Sequence, residues 1–176
     1  MAFPSSNTVD LLPAVAYPGQ IAEAGPRSCR SYRVEGAGVQ AGLPVKRGTN
    51  PASQVAAFAG GNTVNASTFA GIVVLSTSRS ADEVGASLAV SSDVEVMRFG
   101  SCYLQFAGAV TAGQAVKITL ATGVLEGSAE GANAATVGAG KVVLPGLRVA
   151  QSTSAAGPAI VEVNLFGLQD AATVGA

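Results

Sequence analysis

From residue 34 onward the chain alternates apolar and polar positions. Val94 and Val96 alternate with Asp93, Glu95 and Met97. Cys102, Leu104 and Phe106 alternate with Tyr103 and Gln105. Val116, Ile118 and Leu120 alternate with Lys117 and Thr119, and Val161, Val163 and Leu165 with Glu162, Asn164 and Phe166. A strand turns successive side chains to opposite faces, so a period of two with β-branched residues predicts half-buried strands. Gly60-Gly61-Asn62, Gly100, Ala112-Gly113, Thr122-Gly123, Pro145-Gly146 and Gly157-Pro158 punctuate the pattern as turns. Strands this closely spaced, with no long helical period, predict an all-β fold, a jelly-roll-like sandwich or barrel. One short helix is predicted over Ser80–Leu88, where Ser80 caps ahead of Glu83.

Residues 1–35 read differently. Pro4, Pro13, Pro18 and Pro26 recur through them, and proline fixes φ and removes a donor. The segment predicts an extended N-terminal arm, followed by a β-body over residues 36–168 and a flexible tail over 169–176. Residues 126–140 are low in complexity and predict a long loop. Val39-Gln-Ala-Gly-Leu-Pro-Val-Lys46 echoes Val110-Thr-Ala-Gly-Gln-Ala-Val-Lys117. Two hairpins with the same turn chemistry account for so short a match without a repeat architecture.

Composition narrows the function. Charged residues are 12% of the chain, apolar residues 48%, and histidine is absent. A soluble protein ordinarily carries about 25% charged residues, so this surface of small residues suits one that is covered by other proteins. The net charge of −1 gives no basic field for nucleic acid. No apolar run is long enough for a membrane span, and the start has no signal-peptide pattern, so a cytoplasmic origin is expected. Cys29 and Cys102 are expected as two reduced thiols.

Catalytic patterns are missing. Without histidine, neither a serine nor a cysteine nucleophile has its usual base. Gly85-Ala-Ser-Leu-Ala89 fails as a nucleophile elbow at its last position. Gly138-Ala-Gly-Lys-Val142 fails as a phosphate loop, with Ala135 for Gly and Val142 for Ser or Thr. Two distant cysteines do not make a zinc site. The acidic pairs Asp82-Glu83 and Asp93/Glu95 read as solvated or arginine-paired carboxylates. No catalytic residue, metal site or cofactor is expected. Arg27, Arg30 and Arg33 recur at even spacing. They read either as solvated strand charges or as forks that grip a partner's carboxylates.

The stretch Leu12-Pro-Ala-Val-Ala-Tyr-Pro-Gly-Gln-Ile-Ala-Glu-Ala-Gly-Pro-Arg27 resembles the N-terminal arm of structural cement (head decoration) proteins of tailed bacteriophages. Val39–Val45, Phe69–Val73, Ala109–Gly113 and the closing Gly146–Leu165 region are similar to the Gly/Ala/Val-rich body of that family. The segment Ser28-Cys-Arg-Ser-Tyr-Arg33 is more basic than the family pattern. The resemblance implies a non-enzymatic virion protein on the capsid exterior, assembled in the host cytoplasm. It implies two partners, the major capsid protein and other copies of the chain as dimer or trimer, with no nucleic acid and no membrane. It also implies that the protein stabilises the shell by bridging capsomers. Contact residues expected on this reading are Arg27, Arg30 and Arg33 as polar anchors, with Leu12 and Tyr17 as apolar ones. The alternative is a tail-associated or receptor-binding β-domain that reads host-surface glycans, against which the scarcity of aromatic residues counts.

Overall fold

The computed structural model describes residues 16–22, 25–59, 64, 67–75, 88–129 and 140–166. The expected turn at Gly60-Gly61-Asn62, Asp82-Glu83, Leu12, the tail and all of the expected helix except Leu88 lie outside these. The described residues hold nine strands and no helix. They are β1 (Ser28–Val34), β2 (Pro44–Arg47), β3 (Gln54–Ala57), β4 (Phe69–Val74), β5 (Asp93–Phe106), β6 (Ala115–Thr119), β7 (Leu125–Ser128), β8 (Lys141–Val149) and β9 (Gly157–Asn164).

The 14-residue strand β5 organises everything else. Its first half pairs with β1 and β4, and its second half with β9 and, at Phe106, with β7. The strand order β1-β3-β2-β4-β5-β7-β6-β8-β9 closes twice, through β1–β5 and through β5–β9. Two five-stranded barrels result, and β5 is a wall of both. Of the sandwich and barrel alternatives, the chain takes the barrel.

The barrels share one topology. β1–β3 and β5–β7 are parallel, and every other pair in each circuit is antiparallel. Val39 exchanges two backbone hydrogen bonds with Leu88 in the first, and Val110 does so with Thr153 in the second. Gly42 donates to Val73 while Val73 donates to Leu43; Gly113 donates to Val149 while Val149 donates to Gln114. The sequence echo 39–46/110–117 covers these equivalent positions. The echo therefore falls on the same turn and strand start of each barrel, so it matches barrel topology as well as turn chemistry.

Other expectations shift with this arrangement. Gly100, expected as a turn, lies inside β5 at φ +125, where its missing Cβ lets Arg27 pass over the strand. Pro145-Gly146 lies inside β8, whose pairing with β6 is irregular between Ala115 and Lys117. The expected loop 126–140 begins as strand, because β7 pairs along β6 from Leu125 to Ser128. Residues 28–34 of the expected arm form β1, in which Tyr32 and Val34 are buried and Arg33 is exposed.

Two apolar clusters fill the barrels. Tyr32, Val34, Val45, Val55, Val94 and Val96 pack in the first. Leu104, Phe106, Val116, Ile118, Leu144 and Val161 pack in the second. β4 is buried along its whole length. Its Ala70 and Val73 belong to the first cluster, and its Phe69, Ile72 and Val74 to the second. Each large side chain so buried contributes roughly 1.5–3 kcal/mol, so the two cores are joined through β4 and β5.

Candidate partner-binding surface

The described residues gather no set of three or more His, Cys, Asp or Glu able to hold a metal. Cys29 and Cys102 are both free thiols. Burial pushes the Cys102 thiol up to about 12, with neighbouring Cys29 adding to the effect. Burial also raises Cys29, helped by Glu95 and opposed by Arg27. Neither cysteine presents a thiolate near neutral pH. A groove of about 440 Å³ runs past Pro18, Gln40, Leu43, Gln105 and Thr122, and none of its lining side chains titrates.

The N-terminal segment is fastened before β1 begins. Tyr17 accepts from the Gln20 N–H and donates its own N–H to Gln20 Oε1, closing a turn around Pro18-Gly19. Gly19 donates to the Tyr103 carbonyl at 2.7 Å and accepts from the Leu75 N–H at 2.9 Å. Tyr103 donates to Gln20 and Ala22 donates to Ser101, each at 2.9 Å. Ile21 pairs antiparallel with Cys102 and packs on the second core. A close approach makes this seat possible: a Cβ on Gly42 would lie 2.5 Å from Pro18 Cβ. The Pro-Gly pair was the sequence signal for this turn, but nothing in the sequence named Tyr103 or Gly42 as its receptor.

All three arginines of the expected anchor set are exposed. Arg30 holds its guanidinium 5.5 Å from the Tyr32 ring centroid. Arg33 Nε stands 3.9 Å from Asp93 Oδ1, and both side chains are more than half exposed, so that pair contributes little. The structure gathers Arg30 and Arg33 on β1, with Arg27 just before it. It sets Tyr17 in the turn described above. Leu12 lies outside the described residues. A separate charged group lies on the second barrel. There Glu126 receives bonds from Lys141 Nζ on both carboxylate oxygens, at 2.9 and 2.8 Å, with Lys117 Nζ at 3.2 Å.

The surface thus offers exposed arginines on a strand and small apolar residues. A family model for the structural cement protein (E217 gp24/Pam3 gp6) matches residues 5–165. The chain belongs to this phage structural cement protein family. Its part is therefore structural and its place is with the capsid and the virion. The fold has a solved counterpart in a chain from "The capsid of Myoviridae Phage XM1". The two are 19% identical with a TM-score of 0.62, over 93% of this chain and 98% of that one. A search of curated proteins returns no match.

Proposed function

We propose that this cement protein binds the outer surface of the phage capsid and bridges neighbouring capsomers, acting as an oligomer. Its partners are the major capsid protein and other copies of itself. Family membership over residues 5–165 is the observation that carries this reading. The chemistry of the surface supports it. A clamp gains from apolar area and hydrogen bonds and needs no reactive group, and standard interfaces hide about 1,600 Å². Arg27, Arg30 and Arg33 are its polar anchors toward carboxylates on the shell, and Leu12 and Tyr17 its apolar ones. No catalytic step is assigned.

The test is co-sedimentation with expanded, undecorated heads. Deletion must stop at residue 15, because removal through residue 33 would take Tyr32 out of the first core. Double reversal Arg30→Glu/Arg33→Glu is expected to weaken saturation of the heads at least tenfold while the melting temperature holds. Saturation at unchanged concentration by this variant would remove the arginines from the contact. Failure of the wild-type chain to sediment with heads would sink the reading itself.

A further inference from the structure

The two barrels differ at one turn where their common topology makes them equivalent. In the first, Gly48 donates to the Gln54 carbonyl across the turn between β2 and β3; in the second, Thr119 donates to the Val124 carbonyl across the turn between β6 and β7. The first turn encloses five residues, 49–53, and the second four, 120–123. The missing residue has a consequence in β5. In the first barrel Ser53 ends the turn and accepts from the Arg33 N–H at 2.8 Å. The parallel pairs Val34–Val55 and Phe106–Leu125 make Gln105 the equivalent of Arg33 and Gly123 the equivalent of Ser53, yet Gln105 and Gly123 are not bonded.

Alternate residues of a strand direct their N–H groups to the same edge. Tyr103 donates to Gln20 and Ala107 to Leu125, so the Gln105 N–H faces the edge between them. β9 runs along the other edge, where Gln105 stands opposite Pro158. Among the described residues no acceptor takes the Gln105 N–H. Pro18 and Leu125 flank it, and with Gln105 and Gly123 they line the groove of about 440 Å³. A further hollow of about 270 Å³ shares Gln40, Leu43, Thr122 and Gly123 with that groove, so the two are continuous. No charged residue lines either one.

We infer that this groove receives an uncharged loop of the major capsid protein, which presents a main-chain carbonyl to the Gln105 N–H. The first barrel shows what fits there: the carbonyl of a small, uncharged residue at the end of a turn, as Ser53 provides. The lining selects the rest. Pro18, Leu43 and Val124 are apolar, and a charged side chain brought between them would lose hydration without gaining a counter-charge. Exposed Gln40, Gln105 and Thr122 offer neutral hydrogen bonds around it. The inference rests on the reading that the protein decorates the shell, and it adds a neutral contact away from the three arginines.

The test is co-sedimentation with expanded, undecorated heads, with melting curves as the folding control. Replacing residues 120–123 by the five residues of Thr49–Ser53 supplies the carbonyl from within the chain and fills the groove. Gln105→Pro removes the N–H, and Val124→Arg sets a charge in the wall. Each folded variant is expected to need roughly tenfold more protein to saturate the heads, the loss that one unmade buried hydrogen bond brings. Hydrogen exchange reads the donor directly. The Gln105 amide of the free chain should exchange much faster than the Arg33 amide, and should gain protection on the heads. A Gln105 amide already protected in the free chain means that the chain caps it by itself, and overturns the inference. Wild-type saturation by any of the three folded variants also overturns it, and leaves capsid decoration standing. Failure of the wild-type chain to sediment with heads removes both.

Discussion

Replacing Gly42 by alanine separates two costs that the structure stacks at one residue. Gly42 has φ +78, a conformation that costs an L-residue roughly 1–2 kcal/mol. Its new Cβ would also sit 2.5 Å from Pro18 Cβ and 2.8 Å from the Gly19 nitrogen, well inside van der Waals contact. Those atoms cannot yield while residues 16–22 stay seated, so the segment must lift. Lifting breaks the bonds at Tyr103 (two), Leu75 and Ser101. At about 1 kcal/mol each, they bound this second cost near ~4 kcal/mol. Gly36 is the matched control, with φ +72 and open space around its Cβ. Gly36→Ala is expected to cost about 1–2 kcal/mol and Gly42→Ala about 3–5, with each kcal/mol lowering Tm by about 2–4 °C. Thermal melts read the difference, and hydrogen exchange reads its cause, since Tyr103 and Leu75 amides should lose protection in Gly42→Ala alone. Equal destabilisation by the two variants, with both amides still protected, would refute the account of how the N-terminal segment is held.

Three further outcomes follow from the same contacts. Lys141 first, and Lys117 after it, hold the Glu126 carboxyl below its ordinary range. Its contribution is therefore complete above the unfolded carboxylate value of about 4.3 and is lost as pH falls through the lower folded value. Glu126→Gln should flatten the acid side of the stability curve; an unchanged slope there would count against the pairing. At pH 8, iodoacetamide should leave Cys102 of the folded chain untouched and modify Cys29 more slowly than in the unfolded chain. Equal rates at both sites would contradict the burial. Leu104→Ala should cost about 2–5 kcal/mol. Because β5 is a wall of both barrels, amides of β2 and β4 should lose protection together with those of β6 and β9. Wild-type protection in the first barrel would show that the barrels unfold independently.

Much of the fold was legible because half-buried strands leave a period of two, as at Val116, Ile118 and Leu120. The strands that were missed bury little of their own length in that rhythm. In β1 the pattern is confined to Ser31-Tyr32-Arg33-Val34 and is overshadowed by the prolines before it. In β7, Leu125 is the one large inward residue, so Glu126-Gly127-Ser128 read as loop. Gly100 read as a turn because the sequence cannot distinguish a glycine that reverses a chain from one that lets another segment cross. The expected contact residues were chosen by residue type, and the sequence carries none of the geometry around them. The three arginines are solvent-exposed as either reading required, whereas the seat for Pro18-Gly19 depends on Gly42, Leu75 and Tyr103, which come together only in the closed barrels.

Closure also explains how a chain with so little charge can leave few strand edges open to indiscriminate addition. Unpaired strand edges invite indiscriminate addition, and proteins ordinarily blunt them with charge, proline or cover. Here the sheet closes on itself twice, and the N-terminal segment covers the exposed run of β5 from Ser101 to Tyr103. Little charge is then needed for protection, and the surface is free to be small and apolar. The stretch of β1 from Ser28 to Tyr32 departs from this economy. Among the described residues it is a run with one registered neighbour, and it is also where Arg30 stands, next to Arg27 and Arg33. Positive charge at such an edge is one of the ways in which proteins blunt it against a second copy of the same strand.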